Sequence, residues 1–396
     1  MNPEPRTLNR NPAHEPGTRN LEPGTVRGLS RADIPTPALV LDMAALDRNI
    51  ARMASFFAEG ACRLRPHFKA HKTPAIAKRQ LAAGSCTGLT CATVGEAEVA
   101  AEFCDDVLIA NEVVTAAKCA RIAGLARRIR VTAAVDSHAG LATLSRAARD
   151  AGVSVGVLVD LNVGQGRCGV EPGEAAMTLA RQVAESGGVT LRGVMGYEGH
   201  LQPIRDRADR ESRTRKAMQG LVETASALRD SRLPCEVVSA GGTGTFDISG
   251  RIAGITEIQA GSYALMDTDY VHVGVPFEPA FWVLGTVVSR PMRNRCVADC
   301  GHKSMTKDHG NPTVRRIEGA TVTSLNDEHA TIALPPESTI QIGDLVELLP
   351  SHIDPTINLH DVFYVVEGEQ VIDIWPIAAR GYPDHRMMGQ VPTPSL

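Results

Sequence analysis

Between about residue 37 and residue 270 the chain alternates short apolar runs, rich in β-branched residues, with helical stretches heavy in Ala, Leu, Arg and Glu. Parallel strands need crossover connections, and repeated strand–helix units supply them, so this texture predicts a parallel sheet covered by helices. Nine runs read as strands: Ala38–Asp42, Arg63–His67, Gly88–Thr93, Asp106–Asn111, Arg130–Asp136, Val153–Asn162, Leu191–Tyr197, Glu236–Ala240 and Glu257–Gly261. Met43–Glu59 and Arg207–Arg229 are among the helices between them. So many units in about 240 residues predict a (β/α)8 TIM-type barrel. A barrel takes eight strands, so one of the nine belongs elsewhere.

After about Pro276 the texture changes. Phe281–Ser289, Arg295–Asp299, Ala320–Leu325, His329–Leu334, Leu345–Leu349, Val362–Val366 and Val371–Pro376 are short strands divided by Gly, Pro and Asp turns, predicting an antiparallel β domain. Residues 1–34, rich in Pro, Asn, Arg and Gly, are expected to be a disordered tail. The expected division is therefore 1–34 tail, 35–44 a separate strand, 45–272 barrel and 273–396 β domain.

Composition narrows the function. Basic residues are dispersed and aromatics scarce, which argues against a nucleic-acid partner. No run approaches the roughly 20 apolar residues that span a bilayer, and the first thirty residues lack a secretory h-region. Nine cysteines without a CxxC pair suit free thiols in a reducing cytoplasm.

In a barrel, function collects where strands end at their C-termini. Arg65-Pro66-His67-Phe68-Lys69-Ala70-His71-Lys72 follows one strand, placing Lys69 among basic side chains. Neighbouring positive charge lowers a lysine's pKa, and the neutral amine can build a Schiff base with a carbonyl. The alternative is a solvated basic cluster. Ser239–Thr245 reads as an anion cradle of small residues, or as an ordinary flexible loop. Arg167 is flanked by Gly166 and Gly169, which let a ligand come close; Glu198 and His200 are acid/base candidates or local hydrogen-bonding groups. His352 and Asp354, two apart, face the same way on an extended strand and could bind a divalent ion or simply each other. His360-Asp361 is a further candidate pair.

Taken in order, Arg65–Lys72, Gly164–Gly169, Gly241-Gly242-Thr243-Gly244, Gln259–Asp267 and above all Pro350–Asp361 resemble the D-threonine aldolase and D-serine dehydratase family. These are pyridoxal phosphate enzymes with the alanine-racemase-like barrel, fold type III, and the resemblance runs from about Thr36 to Gly381. It implies that Lys69 carries the cofactor while Lys72 is a bystander, and that Ala38–Asp42 is the strand that joins the C-terminal β domain. It assigns cofactor contacts to Arg167, Tyr197, Gly241, Gly242, Thr243, Gln259, Gly261, Ser262 and Tyr263. Arg167 would face the phenolic oxygen and Gln259 the ring nitrogen.

The resemblance also makes His352 and Asp354 the metal pair. An aspartate where the dehydratase branch has cysteine favours Mn2+ or Mg2+ over Zn2+, and the aldolase branch. The implied reaction cleaves a small D-3-hydroxy amino acid to glycine and an aldehyde, in a homodimer. The family's histidine base aligns with Pro203, leaving His200 as leading candidate, with Glu198 or a metal-bound water as substitutes. An acidic substrate would call for an extra cation, for which Arg290, Arg295, His302 and Lys303 are candidates. The rival readings are β-elimination to a 2-oxo acid and ammonia, racemisation, and a non-catalytic pyridoxal phosphate carrier.

Overall fold

The computed structural model describes residues 28–381. Strand β1 (Ala38–Asp42) comes first, then eight parallel strands: β2 (Arg63–Leu64), β3 (Leu89–Cys91), β4 (Asp106–Glu112), β5 (Arg130–Val135), β6 (Val155–Asp160), β7 (Val189–Gly196), β8 (Val237–Ala240) and β9 (Glu257–Ile258). They form one sheet in the order β2-β9-β8-β7-β6-β5-β4-β3. Its two ends meet: bridges Leu64–Cys86 and His67–Thr90 join β2 to the approach and start of β3, closing the barrel. The Leu64 N–H donates to the Ser85 carbonyl, and the Thr90 N–H to that of Pro66.

Strand alternation splits the core. Val107, Ile109, Val157 and Val159 belong to the large cluster that packs under the helices. Leu108, Ala134, Leu158, Met195 and Val237, on the opposite faces of β4 to β8, form a separate small cluster along the barrel axis.

The second sheet holds β10 (Phe281–Met292), β11 (Arg295–Ala298), β12 (Thr313–Arg315), β13 (Thr321–Leu325), β14 (Ala330–Ala333), β15 (Leu345–Leu349), β16 (Val362–Glu367) and β17 (Gln370–Pro376). Strand β1 lies in it, antiparallel to β10 and parallel to β16. That resolves the ninth strand and adds one parallel pair to a domain expected to be antiparallel. The sequence reading lacks only β12, three residues long and ended by Arg316 at φ 61°, too short for alternation to register.

The expected tail divides. Residues 1–27 lie outside the described residues, as do 382–396. Ser30 bridges to Gln370, and Arg31 is buried, bonded to Glu347 and set over the Trp282 ring 5.3 Å away. Apolar packing and a buried charge pair bind residues 30–34 to the second sheet, so the tail boundary drawn at residue 34 falls too late.

Candidate active site

A cavity of about 480 Å³ opens at the C-terminal ends of the barrel strands, with Lys69 on one wall and His352 and Asp354 on another. Lys69 sits on the single 3-10 turn Phe68–Ala70 that follows β2. Its Nζ lies 3.8 Å from Asp354 Oδ1, so the barrel's lysine and the second domain's carboxylate share one space.

The basic cluster around Lys69 is not a concentration of positive charge. Arg65 is buried and donates to Glu257 and Asp106, each at 2.9 Å. Burial, reinforced by the nearby Lys69, holds the His67 imidazole well below its usual range. Burial likewise pushes His71 down to about 4. His71 Nδ1 accepts the Thr73 N–H, which leaves Nε2–H to donate to Gln80 Oε1 at 3.0 Å. Lys72, at φ 53°, places its Nζ 2.6 Å from Glu96. Arg65, His67 and His71 thus give Lys69 a neutralised setting rather than the electropositive one their residue types suggested.

The Gly241–Thr245 loop owes its shape to residues from the preceding strand end. Glu198 is fully buried and accepts from the Gly241 N–H and from the hydroxyls of Thr245 and Ser249. Gln202 accepts the Gly244 N–H at 2.7 Å and donates to Thr245. Gly241 has φ +76°, and a Cβ there would meet Ile258 at 2.8 Å; a Cβ on Gly261 would meet the His67 carbonyl at 2.6 Å. Both glycines are dictated by close approach.

Gly242, Thr243, Gly261 and Ser262 line the cavity. Among the described residues, the N–H groups of Thr243 and Ser262 have no hydrogen-bond partner within the chain. Two free donors on adjoining turns are an anion-binding arrangement. The buried His67 Nδ1, on a residue lining the same cavity, also has no partner.

Tyr263 departs from expectation: its side chain is buried outside the cavity lining, its hydroxyl accepts from Gln80, and its N–H donates to Thr243 Oγ1. It braces the cradle from behind. Arg167 and Tyr197 both line the cavity, with the guanidinium 5.7 Å from the ring centroid. Gln259, also lining it, donates to Ser239 Oγ at 2.8 Å.

The second-domain wall corrects the strand geometry assumed for His352 and Asp354. His352 is the extended residue that opens the short helix Ile353–Ile357, and Asp354 lies in its first turn. The pair still converges, with His352 Nε2 3.9 Å from Asp354 Oδ2. Buried Asp267 locks this helix to the barrel by accepting the Ile353 N–H at 3.1 Å while capping the helix Thr268–Val273. Three residues here escaped the sequence reading: Asp308, His309 and Asp269. His352 Nδ1 is 2.6 Å from Asp308, His309 Nδ1 is 2.8 Å from Asp269, and the two imidazoles stack 4.1 Å apart. The only local signal was an Asp-His dipeptide before Gly310 and Pro312, a polar turn of ordinary appearance.

Other candidates lie elsewhere. His200 is exposed on the turn Gly199–Leu201, beside Gly164, and does not line the cavity; Pro203 does. Since Glu198 is spent on the glycine loop, neither is placed to accept a substrate proton. His360 bonds the Ser304 carbonyl and Asp361 pairs with Arg380. Arg290 donates to the Ser338 carbonyl and Lys303 to Glu328, and neither these nor Arg295 and His302 line the cavity.

Residues 41–269 match the family described as alanine racemase, N-terminal domain, and residues 280–366 the putative serine dehydratase domain. The chain is 40% identical to a D-threonine aldolase of Arthrobacter sp. over 91% of its own length and 97% of that protein's. It is 34% identical to a 3-hydroxy-D-aspartate aldolase of Paracoccus denitrificans, over 89% of this chain and 94% of the relative. The solved D-threonine aldolase of Filomicrobium marinum superimposes with a TM-score of 0.87 at 40% identity, covering 89% of this chain and 98% of that one. The chain belongs to the D-threonine aldolase and D-serine dehydratase-like family, built on the alanine-racemase-like fold.

Proposed function

We propose that this protein cleaves small D-3-hydroxy amino acids between Cα and Cβ, giving glycine and an aldehyde, with pyridoxal phosphate on Lys69 and a divalent ion on His352 and Asp354. One observation carries the reading: Lys69 Nζ and the Asp354 carboxylate lie 3.8 Å apart in a single cavity. A Schiff-base lysine and a metal pair so close can act on adjacent carbons of one substrate.

The residues present fit both groups. The unpartnered N–H donors of Thr243 and Ser262 suit a phosphate, and Gly242 and Gly261 let it approach the backbone. The imidazole and carboxylate donor set, with no cysteine among the cavity's second-domain residues, suits Mn2+ or Mg2+. When bound, the cofactor supplies an electron sink and the ion acidifies the β-hydroxyl.

The chain's own groups do the rest. Lys69 would hold the cofactor through its amine, and Arg167, held over the Tyr197 ring, would supply a cation for its phenolic oxygen. Gln259, held by Ser239, offers the ring nitrogen a neutral partner. His352 and Asp354 orient the β-hydroxyl beside Lys69, which fixes the bond to be broken. The cavity's cations are Lys69 and Arg167 apart from its histidines, and Asp267, Asp269 and Asp354 line the metal side.

The reading includes a homodimer working in the cytoplasm, where the nine free thiols suit a reducing environment. Purified enzyme supplied with pyridoxal phosphate and Mn2+ is to be incubated with D-threonine, D-phenylserine and D-threo-3-hydroxyaspartate, with and without EDTA. Glycine plus aldehyde is the expected outcome; 2-oxo acid plus ammonia replaces the proposal with β-elimination.

A further inference from the structure

We propose that Asp308 is a positioning residue that fixes the His352 imidazole in one tautomer and one orientation, so that Nε2 alone is offered to the ion. This rests on the reading of His352 and Asp354 as the metal pair. An imidazole has two ring nitrogens, and which one binds a metal is set by the hydrogen bond the other makes. Here the nitrogens face different carboxylates. Nδ1 is 2.6 Å from Asp308 Oδ2 and Nε2 is 3.9 Å from Asp354 Oδ2. A hydrogen bond of 2.6 Å is too short to hold an ion between its ends, because two donors at about 2.1 Å on a six-coordinate ion sit about 3 Å apart. The 3.9 Å gap on the other side is open enough to admit an ion, around which the two donors would close to about 3 Å.

The ring is restrained from two further directions. His309 stacks on it with centroids 4.1 Å apart and planes inclined by 9°, and Asp269 anchors His309 at 2.8 Å. The loop carrying Asp308 is pinned to the His352 helix, since the Thr306 N–H donates to Thr356 Oγ1 and that hydroxyl donates to the His352 carbonyl. Asp308 and His309 cluster with His352 closely enough to hold an ion themselves. The short Nδ1 contact assigns them instead to supporting His352, while Asp354, with its carboxylate by Lys69, completes the site that faces the chemistry.

The test is Mn2+ affinity of the full-length, cofactor-loaded protein, read from the free-ion electron paramagnetic resonance signal, for wild type, D308A, D308N, H352A and D354A. D308A is expected to weaken Mn2+ binding 10- to 100-fold, roughly the effect of removing such a support. D308N, whose amide oxygen still accepts from Nδ1–H, recovers most of that loss, which a merely structural role would not predict. Wild-type affinity in D308A, or equal losses in D308A and D308N, overturns the proposal while leaving the metal pair standing. Unchanged affinity in H352A and D354A instead overturns the metal pair itself. Should D308A fail to fold, nitrogen-15 spectra of wild-type His352 decide: an Nδ1–H tautomer supports the assignment and an Nε2–H tautomer overturns it.

Discussion

The two walls of the cavity are built on opposite principles. On the barrel wall, buried Arg65 is paired with Glu257 and Asp106, His67 and His71 are held neutral by burial, and Tyr263 and Gln80 form a buried hydrogen-bonded brace. On the second-domain wall the polar groups are partly exposed and joined imidazole to carboxylate, His352 to Asp308 and His309 to Asp269. On a wall whose charges are buried and matched, removing one partner strands the other and destabilises the fold. A wall of partly hydrated imidazoles and carboxylates keeps its lone pairs available for an ion. Substitutions should therefore separate cleanly by side.

The largest effect belongs to the residue where the walls meet. Lys69→Ala should remove the visible absorbance of the bound cofactor and lower kcat by about 10³-fold or more. Retention of both would break the comparison at its centre. Asp354→Ala should lower kcat/KM on the order of 10²-fold or more while leaving the cofactor band and the melting temperature in place, because an ion contributes several kcal/mol to transition-state charge stabilisation. Loss of the cofactor band in that variant would show the walls to be a single unit.

Arg65→Met should do the reverse, costing about 3–5 kcal/mol of stability in urea unfolding by leaving buried Glu257 without its cation. The smallest effect is one of pH. Burial pushes His71 down to about 4 in the folded chain, against about 6.5 unfolded. The unfolded state thus binds more protons between those values, so this contribution is complete above about pH 6.5 and is lost as pH falls towards 4. Unfolding free energies measured from pH 7.5 to 4 should decline, and a flat profile would contradict the buried neutral state of His71.

The barrel wall was legible in the sequence because its parts are contiguous. The strand–helix period places Lys69, Glu198, the glycine loop and Gln259 at successive strand ends, and each segment is short enough to read alone. Local reading misjudged charge, since the partners that neutralise Arg65 stand 41 and 192 positions away. It misplaced Tyr263, and left Glu198 open between acid/base group and local hydrogen bonding, for the same reason: a residue type at a strand end does not reveal whether its side chain enters the cavity or braces a loop. The second-domain wall was legible only as His352 and Asp354. Asp308, on a turn, and Asp269, in the helix Thr268–Val273, stand 44 and 83 positions before His352 and acquire meaning only when the second sheet folds onto the barrel.

The central claim is that cofactor and ion occupy one cavity, a few ångströms apart. The phosphorus-31 resonance of bound pyridoxal phosphate tests it directly, because Mn2+ broadens nearby nuclei and Mg2+ does not. Strong broadening on Mn2+ addition, absent with Mg2+ and abolished in D354A, is the predicted result. A phosphate signal that stays sharp at saturating Mn2+ would contradict the account.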